Sequence, residues 1–153
     1  MRRKMQAIWC ATFGAVLAVC ALLTAPPAMA QTLTSRNAQA DCAASKCEVS
    51  FSFTAAVRLE RVACVFDMRA PAAKTPRLIR AVLRRVTTSS GAEAARQDLP
   101  FTHTYDNGAR QIFVVATNPL FNLATTETAE INAVATNDTN SIKVECYAAG
   151  FPQ

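Results

Sequence analysis

Histidine is almost missing from this 153-residue chain, occurring once as His103. Nucleophilic catalysis of the Ser-His-Asp or Cys-His kind needs an imidazole held in place by a third group. A lone histidine in FTHTY, between Thr102 and Thr104, is expected to be a packing or rim residue rather than a base. The same scarcity leaves little to ligate a metal beyond scattered carboxylates, and no cofactor is expected. Glycine is scarce too, with four in the whole chain, which excludes glycine-rich loops that cradle phosphates. The only tryptophan is Trp9, near the N-terminus, so the buried tryptophan of antibody domains has no counterpart farther along. Aromatic residues make up 7% of the chain and do not interleave with the basic ones, so a stacking platform for nucleic acid is not expected.

What is present begins with MRRK, then AIWCATFGAVLAVCALLTA without a charge, then PPAMAQ. A basic head, an apolar body and the small-x-small site Ala28-Met29-Ala30 predict a secretory signal peptide over residues 1–30, cleaved before Gln31. The apolar run approaches the length of a membrane anchor, but Pro26 and Pro27 ahead of Ala-Met-Ala favour cleavage. Leu17-Ala18-Val19-Cys20 approximates a lipid-attachment box, with Val19 where a small residue is wanted. Cleavage leaves 123 residues, enough for one domain with a real core, and no transmembrane segment is expected in that mature chain. Three of the 16 basic residues leave with the leader, so the net charge falls from +5 to 13 basic against 11 acidic, +2. Abundant alanine, and ten arginines to three lysines in the remainder, suggest a GC-rich bacterial source.

Removal of the leader also takes Cys10 and Cys20, leaving Cys42, Cys47, Cys64 and Cys146. An even set in an exported chain predicts two disulfides with three possible pairings. Cys42 with Cys47, and Cys64 with Cys146, is the favoured arrangement. A redox or metal role for Cys42 and Cys47 has neither CxxC spacing nor a nearby histidine behind it.

Residues 31–46 are polar and aperiodic and predict a loose lead-in, followed by a single β-sandwich domain over 47–150. From Cys47 to Val57, apolar and polar residues alternate, the period of a half-buried strand. RVACVFDM places Val62, Cys64, Phe66 and Met68 on one face and apolar Ala63 and Val65 on the other, which predicts a strand covered on both sides. SSGAEAARQDLP has the composition of a loop. FTHTY and RQIFVVAT flank Asp106-Asn107-Gly108, and together predict a hairpin over 101–117 with Phe101, His103 and Tyr105 on one side. LFNLATTET is expected to be a crossing loop, EINAVAT and SIKVECYA the last strands, and Asn137-Asp138-Thr139-Asn140 the tip between them. The sequon at Asn137 is expected to be that tip rather than a glycosylation site. Repeated strands and turns predict an antiparallel two-sheet sandwich, broadly immunoglobulin-like.

TPRLIRAVLRRV, residues 75–86, is the ambiguous segment. At 100° per residue its apolar side chains share an arc opposite Arg77, Arg80, Arg84 and Arg85. Thr75 suits an N-cap and Pro76 the first helical position, so a short helix near 76–86 is favoured over a strand with Ile79, Ala81 and Leu83 on one face. Charge is lopsided here, +6 from Arg58 to Arg85 against −4 over residues 98–153.

These features predict an exported, non-enzymatic binding or structural module, periplasmic or secreted, with a protein partner in the bacterial envelope or outside the cell, and a role accessory to surface-structure assembly is compatible with them. One alternative is an anionic-lipid or glycan binder using Arg77, Arg80, Arg84 and Arg85. Another is a small hydrolase with a carboxylate pair drawn from Asp67, Asp98, Asp106, Glu127 and Glu130.

Overall fold

A computed structural model describes residues 32–119 and 121–153. The expected signal peptide, with Cys10, Cys20 and the lipid-attachment box, lies outside the described residues. Among the described residues ten strands follow one another with no helix: β1 Thr34–Cys42, β2 Lys46–Phe51, β3 Val57–Arg69, β4 Leu78–Thr87, β5 Glu93–Asp98, β6 Phe101–Asn107, β7 Arg110–Thr117, β8 Phe121–Leu123, β9 Glu127–Ala135 and β10 Ser141–Pro152. They form two antiparallel sheets packed as a sandwich. The larger has the order β1-β10-β3-β7-β6, with β8 also on β3; the smaller has the order β2-β9-β4-β5.

The core is the sum of the inward residues that alternation places on each strand. Val49 and Phe51 of β2, and Ile131, Ala133 and Ala135 of β9, meet Val62, Phe66 and Met68 of β3 and Val144 of β10 between the sheets. Complete burial of a side chain such as Phe66 or Ile131 contributes about 2 kcal/mol by area. On β3 the inward phase shifts, from Val57 and Leu59 to Val62 and onward. A bulge explains this: Ala149 of β10 faces Arg61, but Gly150 faces Leu59, so Glu60 is the extra residue. At this bend the backbones approach so closely that a Cβ on Gly150 would meet the Arg58 carbonyl and lie 2.5 Å from Val57 Cγ1.

Both expected disulfides form, and they staple the sandwich in different ways. Cys42, at the end of β1 in the larger sheet, bonds Cys47 at the start of β2 in the smaller sheet, clipping the two layers together at one corner. Cys64 and Cys146 are register partners on neighbouring strands of a single sheet. That second bridge is therefore unlike the inter-sheet bond of antibody domains.

Several segments differ from their sequence-based expectation. Residues 75–86 do not form a helix: β4 runs from Leu78 to Thr87 between β9 and β5, whose ladders satisfy its backbone. Ala81 and Leu83 enter the core while Val82 and Val86 are buried outside it, so an apolar arc that looks helical serves two faces of a strand. The lead-in is not loose, because Thr34–Cys42 pairs along its length with β10, from Thr34 opposite Gly150 to Cys42 opposite Ile142. Glu93–Asp98 is an edge strand and Phe121–Leu123 a short one, where loops were expected. The strand expected over 47–57 ends at Phe51, and the chain crosses to the other sheet to begin β3 at Val57.

Candidate functional site

The register of the larger sheet fixes what its outer surface presents. One row reads Asp41, Lys143, Asp67, Ile112 and Tyr105 across β1, β10, β3, β7 and β6. Next come Gln39, Glu145, Val65, Val114 and Thr102, then Asn37, Tyr147, Ala63 and Ala116. Arg61 stands beyond Ala63 on β3. Apolar positions interrupt this polar grid: Val65 on the central strand is 40% exposed, Tyr105 on the edge strand β6 is 41% exposed, and Ile112 and Val114 between them are half-buried. A shallow groove of about 680 Å³ runs over it, lined by Asn37, Gln39, Val65, Val114, Glu145 and Tyr147.

The two-sided apolar pattern of β3 and β7 had implied cover on both faces. In the folded chain only the inner face is covered. Tyr105 departs from expectation in the same direction, because a bulge between His103 and Tyr105 turns it away from Phe101 and onto the outer side. There it lies 5.6 Å from the Arg110 guanidinium. Arg110 in turn donates to both oxygens of Asp67, at 2.9 and 2.8 Å, and this hydrogen-bonded cation holds the Asp67 carboxyl below its ordinary value despite partial burial.

The outer surface of the smaller sheet is organised by ion pairs. Arg84, at its centre, donates from Nη2 to Glu48 at 2.6 Å and to Glu130 at 2.7 Å, with Glu93 at 3.8 Å. Glu93 also takes two bonds from Arg96, which lowers the Glu93 carboxyl and raises the Arg96 guanidinium. Arg80 pairs with Asp98 at 2.7 Å. Arg85 follows the inward phase, lying 3.4 Å from Glu127 and donating to the Asn122 carbonyl of β8, so it closes one end of the sandwich between the layers. Among the four arginines expected to share a stripe, only Arg77 has no carboxylate partner among the described residues; it borders a small cleft with His103, Asp106 and Gln111. His103 stacks on Phe113 with ring centroids 4.7 Å apart, and its Nε2 lies 2.8 Å from the Tyr105 carbonyl.

The five candidate acidic residues are dispersed. Asp67 pairs with Arg110, Asp98 with Arg80, Glu127 with Arg85 and Glu130 with Arg84, while Asp106 accepts from Gln111 and the Gly108 amide. Among the described residues no group of three or more His, Cys, Asp or Glu side chains is placed to hold a metal. Asn137 is exposed at the β9–β10 tip, with the Thr139 hydroxyl turned onto Thr136.

Fold and surface together define a disulfide-stapled antiparallel β-sandwich whose smaller sheet is laced by ion pairs and whose larger sheet exposes Val65 and Tyr105 among charged and polar side chains. No protein-family model matches the chain, and no curated protein shows significant sequence similarity to it.

Proposed function

We propose that this protein is an exported, non-enzymatic binding module of the periplasm or the secreted fraction, and that it contacts a protein partner through the outer face of the larger sheet. The observation that carries this reading is the 40% exposure of Val65, beside half-buried Val114 and Ala63, at the centre of a sheet that is covered only on its inner side. Two disulfides suit an oxidising compartment. No helix among the described residues is long and apolar enough to cross a membrane, and residues 1–30 carry the pattern of a cleaved leader. Binding of anionic lipid or glycan through the arginines finds less support, since Arg80, Arg84 and Arg85 already meet carboxylates. Hydrolysis by a carboxylate pair finds less still, because the candidate acids are held apart by separate partners.

A photo-crosslinking side chain placed at position 65 or 114 in the native cell provides the test, with position 50 on the opposite outer face as control. Protein adducts are expected at 65 and 114 and not at 50. Adducts confined to position 50, or none at any position, overturn the reading.

A further inference from the structure

We propose a second contact site, at the open edge of β4, which takes an extended segment of a partner protein as an added strand. β4 pairs with β9 along its length, from Leu78 to Thr87, but β5 covers only its second half, from Val82 opposite Asp98 to Val86 opposite Glu93. One step beyond, the Leu99 amide donates to the Ala81 carbonyl at 2.8 Å, and the chain then leaves through Pro100 to begin β6 in the other sheet. From Leu78 to Ala81 no strand among the described residues pairs with that side of β4. Four residues at about 3.4 Å each leave a slot about 14 Å long, in line with β5. An unpaired strand edge is a template on which another chain can add a strand.

Both faces of the slot offer apolar contact. On the outer side stands Ile79, 60% exposed, the most exposed large apolar side chain among the described residues. On the inner side, between the sheets, is a cleft of about 320 Å³, bounded by Leu78 and Arg77 of the β4 side and by His103, Asp106, Gln111 and Phe113 of β6 and β7. Its size is at the low end of ligand pockets, which suits one or two side chains. A small ligand held in the cleft would leave Ile79 bare. An added strand, whose side chains alternate between faces, covers Ile79 with one residue and fills the cleft with the next.

Charge narrows the chemistry of the segment. Arg77 and Asp106 border the same cleft, yet they form no ion pair with each other; Asp106 Oδ1 instead accepts from Gln111 and from the Gly108 amide. A charge of either sign placed between them faces its like on one side, so the entering side chain is neutral, and apolar where Leu78 and the stacked His103 and Phe113 rings surround it. An edge strand of a second folded copy is a poor fit. β1, β2, β5 and β6 each have six residues or more, and β5 closes the slot at one end.

A display library of random heptapeptides, panned on the disulfide-bonded chain, provides the test, followed by amide hydrogen exchange with the best peptide resynthesised with blocked ends. Enriched sequences are expected to alternate β-branched or aromatic residues and to lack charge at the centre. The bound peptide is expected to slow exchange within Leu78–Ala81 about tenfold or more. His103→Ala, at an exposed position, is expected to keep the wild-type circular dichroism and to weaken the peptide about tenfold. Panning on Arg77→Glu, which sets two carboxylates on the cleft, is expected to bring lysine or arginine to the centre of the selected peptides. No enrichment, slowed exchange only outside Leu78–Ala81, binding unaffected by His103→Ala, or an unchanged selection on Arg77→Glu each overturn the proposal. Exchange at Leu78–Ala81 that slows with protein concentration alone also overturns it, by giving the edge to a second copy. The outer-face reading is tested separately, since Val65 and Val114 do not border this cleft.

Discussion

Gly150 is the residue at which sequence choice is narrowest. A Cβ here collides with the Arg58 carbonyl across the β3 bulge. Backbone has little freedom to retreat, so Gly150→Ala is expected to destabilise the fold by about 2 kcal/mol, as overpacking of a tight site does. A lower urea midpoint with an unchanged m value is the expected result. Nothing in the sequence marks Gly150 as special beyond the rarity of glycine. The constraint comes from a bulge in a strand some ninety residues earlier, and only pairing of the two strands reveals it. Val65 was legible in part: its apolar character was visible and its strand was recognised, but the alternation of β3 cannot say whether a second layer covers the outer side.

At the scale of elements, the two disulfides differ in what they close. The chain-entropy argument assigns about 4 kcal/mol to a bridge between residues 82 apart and about 2 kcal/mol to one between residues 5 apart. Replacing Cys64 and Cys146 together by alanine is therefore expected to lower the denaturation midpoint more than replacing Cys42 and Cys47, measured under identical buffer conditions. The pairing itself was the one favoured from spacing and context. Strand positions with clean alternation, as in β2 and β10, were legible for the same physical reason: one face is dry and the other wet. The segment that became β4 was not, because three demands share it. Its inward residues fill the core, Val82 and Val86 pack on the outer side, and Arg84 and Arg85 serve ion pairs on opposite faces, which blurs the period of two. Polar edge strands such as β1 and β5 were missed because half-exposed side chains on a strand have the composition of a loop. Their strand character is imposed by β10 and β4, to which they bond.

For the whole molecule, acid is the condition to which the charged surfaces respond. Asp67 on one sheet and Glu93 on the other both have carboxyls lowered by hydrogen-bonded arginines. A carboxyl lowered in the folded state contributes stability above its unfolded value, near pH 4, and loses that contribution as pH falls through the folded value. The urea midpoint is therefore expected to stay level from pH 7 to about 5 and to decline below about 4, with a shallower decline in Asp67→Asn. The ends of the sandwich carry a mechanical consequence. Thr34 and Gly150 are partners in one ladder, so the described chain enters and leaves the fold side by side. Tension between those two ends would peel β1 from β10 rung by rung, because antiparallel bonds lie across the strands and are loaded one pair at a time. The peeling would halt at Cys42, whose sulfur anchors the strand to the opposite layer. A tethered copy of this protein could thus pay out the eight residues from Thr34 to Asp41 as slack under load while its core stays closed.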